Sequence, residues 1–86
     1  MIVGESAEPA VRDAIEAHIT AQPEVKKILR LITLQWGDHV VVAVQAEMAS
    51  MASADGLVAA INRVEDSVQQ AFPQARWVFF EPDVPK

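Results

Sequence analysis

The sequence predicts an α+β domain in which two helices cover one face of a three-stranded mixed sheet, in the order α-β-β-α-β. Two segments repeat apolar residues at helical spacing, and three others alternate between apolar and polar residues. Prolines and glycines separate these five segments. A chain of 86 residues has room for one core, so we expect a single domain over residues 1–86, with a linker-like start at 1–7 and a tail at 82–86.

Composition limits the classes of function. The chain has no cysteine, which excludes disulfides, thiolate metal sites and a cysteine nucleophile. A net charge of -5 argues against nucleic acid as a partner, because phosphate binding requires a basic surface. No apolar run approaches the roughly 20 residues needed to cross a bilayer, and Met1-Ile2-Val3 lacks the features of a signal peptide. This segment is therefore not expected to contact a membrane. Whether it is a whole protein or part of a longer one stays open.

The first predicted helix runs from Pro9 to Ala21. Ser6 or Glu8 can cap it, and a proline in the first turn costs no hydrogen bond. Pro23 ends it. Its predicted apolar face comprises Val11, Ala14, Ile15, His18 and Ile19.

Two strands are predicted next, Val25–Trp36 and His39–Met48, joined by a tight turn at Gly37-Asp38. In the second strand one face comprises Val40, Val42, Val44, Ala46 and Met48, and the other His39, Val41, Ala43, Gln45 and Glu47. In the first strand Leu29, Leu31, Thr33 and Gln35 are expected on the face opposite Ile28, Arg30, Ile32, Leu34 and Trp36.

The second predicted helix, Ala54–Phe72, is capped by Ser53 and has an apolar stripe of Leu57, Ile61, Val64, Val68 and Phe72. The last predicted strand, Ala75–Glu81, follows directly. Its Trp77 and Phe79 are expected on one face and its Arg76, Val78 and Phe80 on the other. A right-handed strand–helix–strand crossover places both helices on the same side of the sheet.

One face of this sheet is left without a covering layer. If the helices cover Leu31, Val42, Val44, Trp77 and Phe79, the uncovered apolar set is Ile32, Leu34, Trp36, Val41, Val78 and Phe80. Burying six such side chains is worth about 1.5–3 kcal/mol each, so the set predicts an interface. A homodimer is the economical partner because one surface meets itself under two-fold symmetry. The alternative is that strand twist and the termini cover it.

The sequence does not indicate an enzyme. Its serines lack a histidine at a recognisable spacing, and it has no glycine-rich phosphate loop and no His-Glu-x-x-His motif.

Several segments, in order along nearly the whole chain, resemble the cytoplasmic carboxy-terminal domain of the cation diffusion facilitator family of divalent metal efflux transporters. They are Val3-Gly4-Glu5-Ser6 with Glu8-Pro9, Pro23-Glu24-Val25, Leu31-Ile32-Thr33-Leu34-Gln35-Trp36-Gly37, Asn62-Arg63-Val64-Glu65, Phe72-Pro73 and Trp77-Val78-Phe79-Phe80-Glu81-Pro82-Asp83. The resemblance implies a metallochaperone-like, ferredoxin-like fold that forms a V-shaped cytoplasmic homodimer below a transmembrane transport domain. It also implies a non-enzymatic regulatory role, with a divalent transition metal such as zinc at the dimer seam.

Two other functions stay open: a stand-alone soluble metal-binding protein, and a protein–protein interaction domain without metal.

The residues at the family's metal positions do not favour zinc. Those positions read Leu29, Gln45, Val58 and Phe80, and zinc requires imidazole, thiolate or carboxylate ligands. Phe80 would instead make direct apolar contact at the seam. His39 and His18 are the remaining candidates, supported only by nearby carboxylates, so we expect weak binding at most. His18 is alternatively a packed core residue, and His39 a solvated turn residue.

Overall fold

The computed structural model describes residues 5–83 and has the predicted architecture. Its elements are β1 (Glu5–Ser6), α1 (Pro9–Thr20), β2 (Val25–Trp36), β3 (His39–Met48), α2 (Ala54–Ala71) and β4 (Ala75–Asp83). The sheet order is β1-β2-β3-β4, with β3 and β4 parallel and the other neighbours antiparallel. Apart from the short β1, this is the predicted α-β-β-α-β order with a mixed sheet, and the predicted fold class is confirmed.

The ends of the described chain differ from the expectation. Glu5–Ser6, predicted within a linker-like start, pairs with Gln35 and Leu34 as an edge strand. At the other end Pro82 and Asp83, predicted as the start of a tail, extend β4 beside β3. An edge strand tolerates a proline because its outer side needs no ladder hydrogen bond. The rest of the predicted start and tail, residues 1–4 and 84–86, lies outside the described residues.

Local sequence explains how each helix begins. Pro9 opens α1 after Glu8, which occupies the cap position without a side-chain hydrogen bond, while Ser6 belongs to β1. Ser53 caps α2 as predicted: its Oγ accepts a hydrogen bond of 3.0 Å from the Gly56 backbone N–H. No helix within residues 5–83 is both long enough and apolar enough to span a membrane.

Both helices pack on one face of the sheet and share its core. The alternation in β3 is complete, with every second residue from Val40 to Met48 buried. The buried apolar residues are Ala7, Ile15, Ile19, Val25, Leu31, Val40, Val42, Val44, Ala46, Met48, Ala60, Val64, Val68 and Ala75. The helices therefore cover the predicted face of β3 and leave the opposite face without a layer among the described residues.

A bulge reverses the predicted faces of β4. Val40 pairs with Ala75 but Val41 pairs with Trp77, so Arg76 is an extra residue on β4. An extra residue moves every later side chain to the other face. As a result Val78 and Phe80 pack against the core, whereas Trp77 and Phe79 are 44% and 59% exposed. The prediction for β4 was wrong in this respect.

Two further irregularities affect β2, one between Val25 and Lys27 and one between Ile28 and Arg30. At the second, Ile28 pairs with Ala46 and Arg30 with Gln45, so Leu29 is the extra residue. Ile28 consequently packs against the core together with Leu31, three residues later, while Leu29 is exposed. The predicted grouping of Leu29 with Leu31 was therefore wrong, and β2 alternates as expected only from Arg30 onward.

An ion pair fastens α2 to the connection between α1 and β2. The Arg63 guanidinium donates to both carboxylate oxygens of Glu24, and its Nη2 also donates to Gln22 Oε1 at 2.9 Å. The hydrogen bond from Arg63 lowers the pKa of Glu24 below its ordinary value of 4.5. This contact links α2 to the residues just before β2.

Candidate functional site

The candidate site is the face of the sheet opposite the helices, called here the open face. Strand register arranges its side chains in rows across β2, β3 and β4. From one end of the sheet the rows are Trp36–His39, Leu34–Val41–Trp77, Ile32–Ala43–Phe79, Arg30–Gln45–Glu81 and Lys27–Glu47–Asp83. The first three rows are largely apolar. The fourth, called here the polar row, and the fifth are polar. The register alone therefore divides the open face into an apolar part and a polar part.

The apolar part exposes an unusual amount of aromatic surface for a domain of this size. Ile32, Trp36, Trp77 and Phe79 are each between 42% and 59% exposed. A shallow hollow of about 400 Å³ lies among Trp36, Val41, Trp77 and Phe79. A second hollow of about 490 Å³ runs from the Ile32–Ala43–Phe79 row to the polar row, and Arg30, Gln45 and Glu81 also line it. Contiguous apolar surface of this kind is typical of an interaction surface.

The structure places four of the six predicted interface residues on the open face: Ile32, Leu34, Trp36 and Val41. The other two, Val78 and Phe80, lie on the helix side because of the bulge at Arg76. Trp77 and Phe79 take their places. Sequence reasoning missed these two because Trp77-Val78-Phe79-Phe80 is apolar on both faces, so alternation does not distinguish one face from the other.

His39 lies on the open face beside the aromatic residues. Its ring contacts the Trp77 ring edge to face, with centroids 6.0 Å apart and an interplanar angle of 89°. Its backbone carbonyl accepts a hydrogen bond of 3.3 Å from Gln35 Nε2, which also donates to the Gly37 carbonyl at 2.8 Å. Gly37, with φ of 60°, allows the tight turn that brings His39 opposite Trp36. The turn and the register thus hold the imidazole at the apolar end of the face.

His18 lies on the other side of the sheet, between the two helices. Its Nε2 is 2.7 Å from Ser67 Oγ, and its ring contacts Phe72 edge to face at 5.7 Å between centroids. This is the environment of a packed, hydrogen-bonded core histidine. The sheet separates it from His39, so the two histidines cannot share a metal ion within one chain.

The remaining family positions do not converge either. Gln45 lies on the open face, Phe80 packs against the core, and Leu29 and Val58 are exposed on β2 and α2. Phe80 is therefore not at a seam formed by the open face, contrary to the expectation. Within residues 5–83 no cluster of three or more histidine, aspartate or glutamate side chains could hold a metal ion. Residues 5–83 of a single chain therefore do not fit a zinc site.

Comparison with solved structures identifies the fold as that of MamM C-terminal domains, which are cytoplasmic domains of a cation diffusion facilitator transporter. A histidine-to-alanine variant of MamM-CTD matches with a TM-score of 0.82 at 11% identity, covering 93% of this chain and 100% of that one. An aspartate-to-alanine variant matches at 0.80 and 13%, covering 90% and 96%. The nickel form of a glutamate-to-histidine variant matches at 0.82 and 11%, covering 92% and 100%.

Neither models of protein families nor curated proteins match this sequence. At this level of identity the solved structures establish a shared fold. They confirm the fold that the sequence resemblance implied, and they extend over nearly the whole chain.

Proposed function

We propose that this chain is a non-enzymatic, cytoplasmic regulatory domain of a divalent metal efflux transporter of the cation diffusion facilitator type, acting as a homodimer through its open face. The observation that supports this most directly is an exposed apolar surface on the same fold as the MamM C-terminal domains. A transmembrane transport domain would be its partner in the same chain.

The exposed surface is large enough to support association. Full burial of one large apolar side chain is worth about 1.5–3 kcal/mol, and the four exposed side chains of the open face are roughly half exposed. Two copies would therefore gain about 6–12 kcal/mol from these side chains alone. That gain is comparable with the loss of translational and rotational freedom on association, about 4–15 kcal/mol. Leu34, Val41 and Ala43 add to it.

Sedimentation equilibrium tests the dimer. We expect the parent protein to be dimeric and Leu34→Glu to be monomeric, because the substitution places two carboxylates in an apolar seam. Val58→Glu is the matched control: Val58 is 56% exposed but lies on α2, away from the open face. It should leave the dimer intact. A monomeric parent protein at high concentration would contradict the proposal.

The attached transport domain requires a separate test. An open reading frame that continues upstream into membrane helices would support a transporter. A start codon at Met1 with its own ribosome-binding site would favour the alternative, a stand-alone protein that acts by binding metal or another protein.

A metal role is a second candidate function, supported by the position of His39 and by the nickel form among the similar structures. A site would require His39 from two copies, because one chain lacks a suitable cluster within its described residues. Two imidazoles leave a zinc ion short of its usual four ligands, so binding would be weak. Binding should be weaker still in acid, since protons compete with the metal for the same nitrogens.

Calorimetry with zinc at pH 7.5 on the parent, His39→Ala and His18→Ala tests this candidate. The expected result is one zinc ion per two chains, lost in His39→Ala and kept in His18→Ala, whose imidazole is hydrogen-bonded to Ser67. Binding that survives both substitutions would show that the site lies elsewhere. No binding by the parent would favour an interaction domain without metal.

A further inference from the structure

Two opposite charges on the open face have no partner in the described part of the chain. Arg30 on β2 and Glu81 on β4 flank Gln45 in the polar row, and neither forms an ion pair or a hydrogen bond within residues 5–83. Lys27 and Glu47, by contrast, form an ion pair on the same sheet, with Lys27 Nζ 3.8 Å from Glu47 Oε2. The unpaired arginine and glutamate border the exposed apolar rows, so an interface there must accommodate them.

The register fixes the strands on which these charges lie relative to β3. Because β2 and β4 flank β3, each about 4.8 Å away, the backbones of Arg30 and Glu81 lie on opposite sides of β3. The basic group is on the β2 side and the acidic group on the β4 side. A surface with this arrangement is complementary to itself only for certain orientations of a second copy.

Two sheets packed face to face lie about 10 Å apart with their strands within about 30° of each other. In a two-fold dimer of this kind the axis lies between the sheets and runs either along the strands or across them. With the axis along β3, each row meets its own counterpart and β2 faces the partner's β4. Arg30 then meets Glu81 of the partner subunit, and Ile32 meets Phe79 of the partner subunit.

With the axis across the strands, the order of the rows is reversed. An axis centred on the Ala43 row would place Arg30 and Glu81 against Leu34 and Trp77 of the partner subunit. A buried charge without a partner is strongly unfavourable, and this arrangement would bury four of them. The charge pattern therefore discriminates between two orientations that the apolar surface alone would permit.

From this complementarity we propose that the two-fold axis of the dimer runs along β3 and that two reciprocal Arg30–Glu81 ion pairs fix the orientation of the subunits. The inference rests on the proposed function, since it assumes that the open face is the dimer interface. The same axis brings His39 of the two copies together, because residues of β3 meet their own counterparts.

Charge reversal tests the axis. Arg30→Glu or Glu81→Arg turns two attractive pairs into two repulsive ones, so each single variant should dimerise at least about tenfold more weakly than the parent. The double variant restores opposite charges and should dimerise within about threefold of the parent. An equimolar mixture of the two single variants should form a heterodimer tighter than either homodimer, because every pair in it is attractive.

Sedimentation equilibrium and native mass spectrometry measure these affinities, with circular dichroism to verify that each variant is folded. Asp66→Arg is the control for net charge, because Asp66 is exposed on α2 and receives the same change as Glu81→Arg. It should leave the dimer unchanged. Two outcomes would overturn the proposed axis and leave the homodimer unaffected. In one, both single variants dimerise as tightly as the parent. In the other, they dimerise weakly and neither the double variant nor the mixture restores the affinity. A monomeric parent would instead overturn the proposed function.

Discussion

The neighbouring residues Phe79 and Phe80 provide a direct test of the bulge in β4. Phe79 is 59% exposed on the open face, whereas Phe80 is half-buried against the core below α2. Substituting each by alanine removes the same atoms from adjacent positions of one strand. The two variants should therefore differ only through the face on which the ring lies.

Phe79→Ala should reduce the affinity of the dimer. The exposed part of the ring is worth about 1–1.5 kcal/mol on burial, and each dimer contains two copies. The dimer should weaken by about 2–3 kcal/mol, which is about 30- to 150-fold in the dissociation constant. The free energy of unfolding of the monomer should change by less than about 0.5 kcal/mol, as for other surface substitutions.

Phe80→Ala should reduce the free energy of unfolding of the monomer. Truncating a fully buried phenylalanine costs about 3–5 kcal/mol, so a half-buried one should cost about 1.5–2.5 kcal/mol. Urea unfolding in a monomeric Leu34→Glu background separates this quantity from association, and sedimentation equilibrium on the variants without that substitution gives the dimer affinity. If Phe80→Ala weakens only the dimer and Phe79→Ala destabilises the monomer, the faces assigned to β4 are wrong.

Three further predictions concern stability. Hydrogen bonding to Arg63 lowers the pKa of Glu24, so the contact stabilises the fold above pH 4.5 and this stability is lost as the pH falls through the lowered pKa. In urea unfolding between pH 3 and 6, the free energy of unfolding should therefore fall more steeply with decreasing pH for the parent than for Arg63→Gln. Ser67→Ala removes the hydrogen bond to His18 and should cost about 1 kcal/mol in thermal unfolding, and an unchanged midpoint would contradict a structural role for the pair. Gly37→Ala should cost about 1 kcal/mol in thermal unfolding, because φ at this turn is 60°. An added Cβ there would meet no atom within 4 Å, so an unchanged midpoint would contradict backbone strain as the cause.

The sequence alone determined the elements and most of their boundaries. Both strands of the hairpin, β2 and β3, begin and end at the predicted residues, and Ser53 caps α2 as predicted. These features depend on local interactions: the apolar period within one segment, a cap within one turn, and a glycine that permits a positive φ. The crossover through α2 follows from the handedness of such connections.

Only the tertiary structure decided which side chains of β4 lie on the open face. The bulges at Leu29 and Arg76 are properties of a pair of strands, because each depends on which residue the neighbouring strand β3 presents. The short β1 likewise exists only through its pairing with β2. In β4 both faces are apolar, so period-two alternation contains no information about which one is covered.

The residues of the candidate site likewise divide into those that could be placed from the sequence and those that required the tertiary structure. His39 and the apolar residues of β2 and β3 could be assigned to one face from the sequence, because β3 alternates without interruption. In the polar row Arg30 and Gln45 were also grouped correctly, but Glu81 was not, since it follows the bulge at Arg76. Alternation propagates along a strand only while the register is regular, and a single extra residue reverses it. Pairing between β3 and β4, which are distant in sequence, is therefore what places Trp77, Phe79 and Glu81 on the open face.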